Sequence, residues 1–344
     1  MGISCKQIAE MVGVSRQAAA SVLNGSVKCL VSREKRDLIL HLAKKFNYVR
    51  NNAARTLVKG KSGLVGILSG GFHIKRTGLF MMTMDRELRA NGYLPVMIYT
   101  RSEYDCIAEG IRSLLQQNVD ALIINGIPPH DKGNIIATLK AQGLLDLAPT
   151  LLTNCGLHSG VDVVHYSYDE ALEKIISKAE KLNFPHAKSF FRYSESMERL
   201  YESGSTIKEC IKRLPLQTHE EIQILSSAPL SPEHSGVDIL YQVRRSMENI
   251  LPGTFYLCDT GFCAIQITSM LLQKYGKFPE DAAVIAFDHT DNCAFFSPGI
   301  SAVELNADLF AQKCMELLNR RIRERNADFC AVGVPTAFIE RDTF

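Results

Sequence analysis

Apolar residues recur every three or four positions in three short blocks at the start of the chain, and this spacing predicts three helices. In the first, Ser4 stands as an N-cap before CKQIAEMV, where Ile8, Ala9 and Val12 share a face until Gly13 interrupts. Val14 then reads as buried and Ser15 as a second N-cap. The following RQAAASVLN turns Ala19, Val22 and Leu23 inward and is closed by Gly25. The third helix is expected from Ser32 to Phe46, with Glu34 near its capped start and Leu38, Ile39, Leu42, Ala43 and Phe46 at helical spacing. Two short helices joined by a glycine turn, with small Ala9 and Ala19 permitting close approach, have the pattern of a helix-turn-helix.

From Leu64 the pattern changes to short buried runs alternating with amphipathic segments. LVGILS, LPVMIY and VDALIING read as strands, with helices through MMTMDRELRANG and CIAEGIRSLLQQN between them. A second series follows: VDVVHY, AKSFFRY, EIQILS, TFYLCD and AAVIAF as strands, with helices through EALEKIISKAEKLN, STIKECIKRL and AIQITSMLLQKYG. Such βαβ rhythm predicts parallel sheets with helices on both faces, and two series predict two lobes with a cleft between them.

Composition divides the chain at the same place. Residues 1–61 hold twelve Lys/Arg against three Asp/Glu, a net of +9, whereas the remaining residues hold 27 against 34, a net of −7. A basic head on an acidic body points to a polyanionic partner for the head. The exposed first turn of the second helix is where such a fold meets base edges in the major groove. Arg16 and Gln17 are therefore the expected readers, with Ser21 one turn on. Lys28, Arg33, Lys35, Arg36, Lys44 and Lys45 are expected to supply phosphate affinity.

Several function classes lose support. No G-x-G-x-x-G follows a predicted strand, and neither a P-loop nor a G-x-S-x-G elbow occurs, so an enzyme is not expected. The ten cysteines show no C-x-x-C pair and no ligand spacing with histidine, so reduced thiols are expected, with no metal and no cofactor. No run of eighteen apolar residues and no leader pattern is present, which predicts a cytoplasmic protein without a membrane partner.

The head, SCKQIAEMVGVSRQAAASVLNG followed by VSREKRDLILHLAKKFNYVRNNAARTLVKGKSGLVGIL, closely resembles the LacI/GalR family of bacterial repressors. The resemblance runs nearly unbroken for about 65 residues and continues more loosely through VDALIING, FPEDAAVIAFDH and VPTAFIERDTF. It implies a multi-domain chain. A small all-α headpiece (1–48) and a hinge helix with linker (49–61) precede a periplasmic-binding-protein-like α/β core of two doubly wound lobes (62–344). The first lobe is expected over 62–156 and 303–318, the second over 157–302 and 319–344.

The resemblance further implies a homodimer on pseudo-palindromic double-stranded operator DNA. Ser4, Ser15, Arg16, Gln17, Ser21 and Asn24 would meet the DNA from the headpiece, joined by Asn51, Ala54, Arg55 and a minor-groove wedge, Leu57, from the hinge. It implies a small effector, a sugar or sugar derivative, held by Arg199, Asp259 and Asp288, with Phe72 and Arg76 from the loop after the first core strand beside it. Carboxylates accept from sugar hydroxyls and arginine donates to them.

Three departures stand out. Cys258 replaces the family's asparagine, Glu202 and Ser203 replace a glycine and an aromatic, and GGFHIKRTGLF replaces a longer loop. Two readings stay open: a ligand-switched repressor, and a DNA-binding regulator whose core dimerises but binds no effector.

Overall fold

The computed structural model describes residues 3–25, 31–48, 60–70, 75–100, 104–126, 135–155, 160–193, 202–225, 235–288 and 291–344. The chain divides into two compact units, Met1–Ser62 and Gly63–Phe344.

In the first unit, three helices form where local signals place them: α1 (Cys5–Val12), α2 (Arg16–Leu23) and α3 (Arg33–Lys45). Helix α1 opens with a reciprocal capping box, in which the Ser4 hydroxyl accepts from the Gln7 N–H at 3.3 Å and the Gln7 side-chain oxygen accepts from the Ser4 N–H at 2.9 Å. It ends in a Schellman pattern. Gly13 turns left-handed at φ +64°, its N–H donates to Glu10 O at 3.2 Å, and the Val14 N–H donates to Ala9 O at 3.0 Å. The Ser15 hydroxyl then caps α2 by accepting from the Ala18 N–H at 3.1 Å. Lys35 at the start of α3 donates its ammonium to Gly13 O at 3.2 Å, tying the third helix to the turn.

Ile8, Ala19 and Ile39, one from each helix, are fully buried at the centre. Leu38 and Phe46, both expected to point inward, are 44% and 40% exposed. Two short neighbours cover only one stripe of α3, and that stripe runs through Ile39, Leu42 and Ala43.

The second unit carries eleven strands. The first five are β1 (Leu64–Ser69), β2 (Leu94–Tyr99), β3 (Ala121–Asn125), β4 (Thr150–Thr153) and β5 (Asp162–Ser167), interleaved with α4 (Lys75–Ala90), α5 (Tyr104–Gln116) and α6 (Ile135–Ala141). The series repeats with α7 (Asp169–Leu182), β6 (His186–Tyr193), α8 (Glu202–Arg213), β7 (Thr218–Leu225), α9 (Ser235–Ser246) and β8 (Thr254–Cys258). It continues through α10 (Gly261–Tyr275), β9 (Ala283–Ala286), α11 (Asp291–Phe295) and β10 (Ser301–Leu305), then closes with α12 (Ala307–Arg323) and β11 (Ala331–Ile339).

The strands lie in the order β2-β1-β3-β4-β5-β11-β10-β9-β8-β6-β7. Each half follows the doubly wound pattern 2-1-3-4-5, and every pairing is parallel except β10 with β11. Strand β11 joins the halves: Ala331–Pro335 pairs with β5, and Thr336–Ile339 pairs antiparallel with β10.

These pairings correct the expected lobe limits. Residues 162–167, assigned in advance to the second lobe, are strand β5 of the first sheet. The return segment does not begin at 303 or stop at 318, because β10 stays in the second sheet through Leu305 and α12 continues to Arg323. Pairing partners of short apolar strands are set by contacts distant in sequence, which periodicity does not carry.

One apolar core runs beneath both sheets, from Phe80 and Met84 of α4 through Phe310 and Cys314 of α12 to Ile175 of α7 and Phe255 of β8. Separate cores fill the opposite face of each half, around Ile107 and Ile111 in the first and Ile267 and Leu271 in the second.

The end of α12 is locked by a buried ion pair. The Arg321 and Asp162 side chains are 6% and 1% exposed, and Arg321 Nε donates to Asp162 Oδ2 at 2.6 Å. The remaining guanidinium donors reach Asp162 Oδ1 and the carbonyls of Arg325, Ala327 and Asp328, so the fork is saturated. Removing one partner strands a buried carboxylate, so Arg321→Leu is expected to destabilise the second unit by about 3–5 kcal/mol, read as a lower urea midpoint.

Candidate functional site

In the first unit, Arg16 and Gln17 occupy the first turn of α2 and both are exposed, with Ser21 half-buried one turn further along. Asn24 is exposed at the helix end, where its N–H donates to Ala20 O at 2.9 Å. Ser4 and Ser15 are exposed too, but their hydroxyls are engaged as caps, which assigns them first to holding the helices. Burial raises the Cys5 thiol above its ordinary range, against a smaller opposing effect of Arg16; the thiol donates to Arg16 O at 3.7 Å and so joins α1 to the start of α2. Of the expected phosphate cations, Lys35 is committed to the Gly13 carbonyl, Arg36 is half-buried, and Arg33, Lys44 and Lys45 are exposed. Lys28, Asn51, Ala54, Arg55 and Leu57 lie outside the described residues.

In the second unit, the strand order identifies where a ligand finds room. Successive connections leave in opposite directions at β1/β3 and again at β6/β8, which opens a crevice beyond the carboxyl ends of those strands. In the first half these ends carry a polar cluster that sequence reasoning missed. Asn125, the last residue of β3, donates from Nδ2 to Ser69 Oγ at 3.0 Å. Its Oδ1 accepts from Thr153 Oγ1 at 3.0 Å and from Asn154 Nδ2 at 2.9 Å. Ser69, Asn125 and Thr153 are buried, and the buried Thr100 hydroxyl just beyond β2 has no hydrogen-bond partner among the described residues. Their signal in the sequence was a polar residue ending an apolar run, as in LVGILS and VDALIIN.

In the second half, Asp259 follows β8, is buried, and donates its N–H to Phe190 O at 3.0 Å. Thr260 next to it caps α10, its hydroxyl accepting from the Cys263 N–H at 3.3 Å. Asp288 follows β9 and is half-buried. The fold thus brings Asp259 and Asp288 to the carboxyl ends of adjacent strands. Phe72 and Arg199 lie outside the described residues, as does the side chain of Arg76, whose backbone belongs to the first turn of α4. Cys258 is fully buried, and burial foremost, with Cys263 and Asp259 nearby, holds its thiol well above the ordinary range. Among the described residues no cluster of acidic, histidine or cysteine side chains could hold a metal ion, and no helix is long and apolar enough to cross a membrane.

Residues 186–344 match the family described as a periplasmic binding protein-like domain. The chain is 20% identical over 344 residues to the HTH-type transcriptional repressor PurR of Pasteurella multocida, covering 98% of this chain and 97% of that protein. It is 22% identical over 343 residues to the NTD biosynthesis operon regulator NtdR of Bacillus subtilis, covering 98% of both. Its fold matches that of a lac repressor dimer bound to operator and the anti-inducer ONPF with a TM-score of 0.80 at 16% identity, covering 100% of this chain and 99% of that one.

Over nearly its full length the chain resembles proteins named as transcriptional repressors, and its residues 186–344 match a periplasmic binding protein-like domain.

This resemblance agrees with a regulator rather than an enzyme, since the related proteins above are named as transcriptional regulators. The family asparagine replaced by Cys258 falls at the last residue of β8, within the apolar core that also holds Cys263 and Cys293. At this position a thiol inside the core stands where the LacI/GalR family presents a carboxamide. Polar capacity next to it comes from Asp259 and Thr260 instead.

Proposed function

We propose that the chain is a sequence-specific DNA-binding transcriptional repressor acting as a homodimer, with operator affinity set by a small sugar-like effector in the crevice between the two halves of the core. The observation that carries the DNA reading is the exposed pair Arg16 and Gln17 on the first turn of a capped, buried-face helix within a strongly basic unit. Arg16→Ala is expected to relax specificity at one base pair by about 1–3 kcal/mol, whereas Lys44→Ala weakens binding to all sequences alike. Equal losses on operator and random DNA for Arg16→Ala, measured by fluorescence anisotropy, would remove Arg16 from the reading role.

The effector reading rests on the strand ends. A neutral polyol offers donors and acceptors together, which suits carboxylates at Asp259 and Asp288 facing the crevice and hydroxyl and amide groups at Ser69, Asn125 and Thr100. A ligand alters DNA affinity only if it binds two arrangements of the halves unequally. A thermal-shift screen of the whole chain against sugars, sugar acids, sugar phosphates and nucleobases tests this, because a ligand of the native state raises the melting temperature. We expect a sugar-like compound to do so, and Asp288→Ala to abolish the shift. No shift with any compound favours the effectorless regulator, a reading supported by the apolar replacement at Cys258.

The homodimer reading rests on exposed apolar surface. Met82 on α4 is 74% exposed, and Leu79 of the same helix and Met97 of the edge strand β2 are exposed nearby in the fold. Phe295 on α11, 85% exposed, offers a second such group in the other half. Met82→Glu is expected to convert the dimer to a monomer in sedimentation velocity and to lower operator affinity with it; an unchanged dimer excludes α4 from the interface.

A further inference from the structure

The turn that joins α1 to α2 runs from Gly13 into Arg16, and side chains from outside it hold the carbonyls at its two ends. From the first turn of α3, the Lys35 ammonium donates to Gly13 O at 3.2 Å. From the first residue of α1, the Cys5 thiol donates to Arg16 O at 3.7 Å. A hydrogen bond from the Tyr48 side chain, beyond the end of α3, reaches the same thiol. Cys5, Val14 and Tyr48 are all partly buried against the three-helix core.

The caps at Ser4 and Ser15 start the two helices, and burial of Ile8, Ala19 and Ile39 holds the bundle together. Apolar burial is non-directional, so it leaves the rotation of α2 about its own axis weakly set. Bidentate contact with a base edge needs side chains held to about 0.5 Å and 10–20°, which makes that rotation matter for Arg16 and Gln17. Hydrogen bonds are directional, and two of them bear on the carbonyls that flank the turn. Lys35 also departs from the phosphate role that its charge suggests. A cation is drawn to the carboxyl end of a helix, and Gly13 is the left-handed residue that ends α1.

We propose that Lys35 and Cys5 are positioning residues that hold the turn from Gly13 to Arg16 and so set the angle at which α2 presents Arg16 and Gln17, and that Lys35 makes no phosphate contact. Resting on the DNA-binding reading, this assignment divides the cations of the basic unit in two. Exposed Arg33, Lys44 and Lys45 displace counterions and govern salt dependence, whereas Lys35 governs discrimination between sequences.

A duplex enriched from a randomised pool by the full chain serves as the specific probe, and a scrambled duplex of equal length as the random one. By fluorescence anisotropy, K35M is expected to lower the ratio of specific to random affinity about fivefold, near the lower end of the loss for a base reader. Its slope of log affinity against log salt stays that of the unsubstituted chain. K44A lowers that slope by about one and leaves the ratio as it was. K35R, which keeps a donor at the turn, restores most of the ratio. C5V lowers the ratio about threefold, and C5S, which keeps a hydroxyl donor, preserves it. Lys35 is exposed and Cys5 half-buried, so the far-UV circular dichroism stays native. Without DNA, hydrogen exchange at the Val14 and Ala18 amides, which donate to Ala9 O and Ser15 Oγ, is expected to be faster in K35M. A slope lowered by about one in K35M with an unchanged ratio, C5V equal to C5S, or unchanged exchange at those amides each overturns the proposal. Failure of the pool to yield a preferred duplex defeats the DNA-binding reading instead, and the exchange measurement still decides whether Lys35 holds the turn.

Discussion

A strand has two hydrogen-bonding edges, and β11 gives one to each half of the core. Ala331–Pro335 is committed to β5 and Thr336–Ile339 to β10, so the switch from a parallel to an antiparallel partner occurs between adjacent residues. Everything else in the second unit inherits that constraint. It sets the carboxyl ends of β1 and β3 in one half and of β8 and β9 in the other as the places where the repeated topology leaves room. It also gathers the other two crossings, at the ends of β5 and β10, beside the same strand. Any reorientation of the halves must be absorbed by those three segments.

The two rims of the crevice are prepared differently. In the first half the Asn125 amide is spent inside the protein, held by Ser69, Thr153 and Asn154, so that its orientation is fixed before any ligand arrives. In the second half Asp259 and Asp288 bring carboxyl groups to neighbouring strand ends, and Asp259 sits directly before the capping Thr260. In the proposed reading, the fixed amide and the two carboxylates together orient a hydroxylated ligand. Cys258, protonated and buried, adds shape and no polarity.

What was legible in the amino-acid sequence was what short-range physics decides. Ser4, Ser15 and Ser32 act locally as caps and Gly13 locally as a left-handed stop, so all three headpiece helices were readable to within a residue or two. Depth of burial was less so, as Leu38 and Phe46 show, because helical spacing gives a face but not the width of the neighbours covering it. The strands β4, β10 and β11 and the helices α6, α9, α11 and α12 went unread as elements. Four or five apolar residues fit either class, and α12 carries Arg320, Arg321 and Arg323 near its end. Arg321 looked like surface charge and is a buried lock, since its partner Asp162 lies 159 residues away. Ser69 and Asn125 were hidden for the related reason that each closes an apolar strand, and only the strand order makes such an end a rim.

The continuity of the core limits how the halves can move. Side chains of α4, α7 and α12 share one apolar cluster with strands of both sheets, and close-packed interiors resist gradual deformation. Phe310 packs against Phe80 at 5.9 Å and Tyr166 at 4.4 Å between ring centres, which seats α12 on the first half. A rotation about β11 leaves these rings together, and packed interfaces settle into discrete arrangements. A ligand acting at the crevice has only to prefer one of them, and the modest free-energy difference between two such packings is within reach of a few hydrogen bonds at the strand ends.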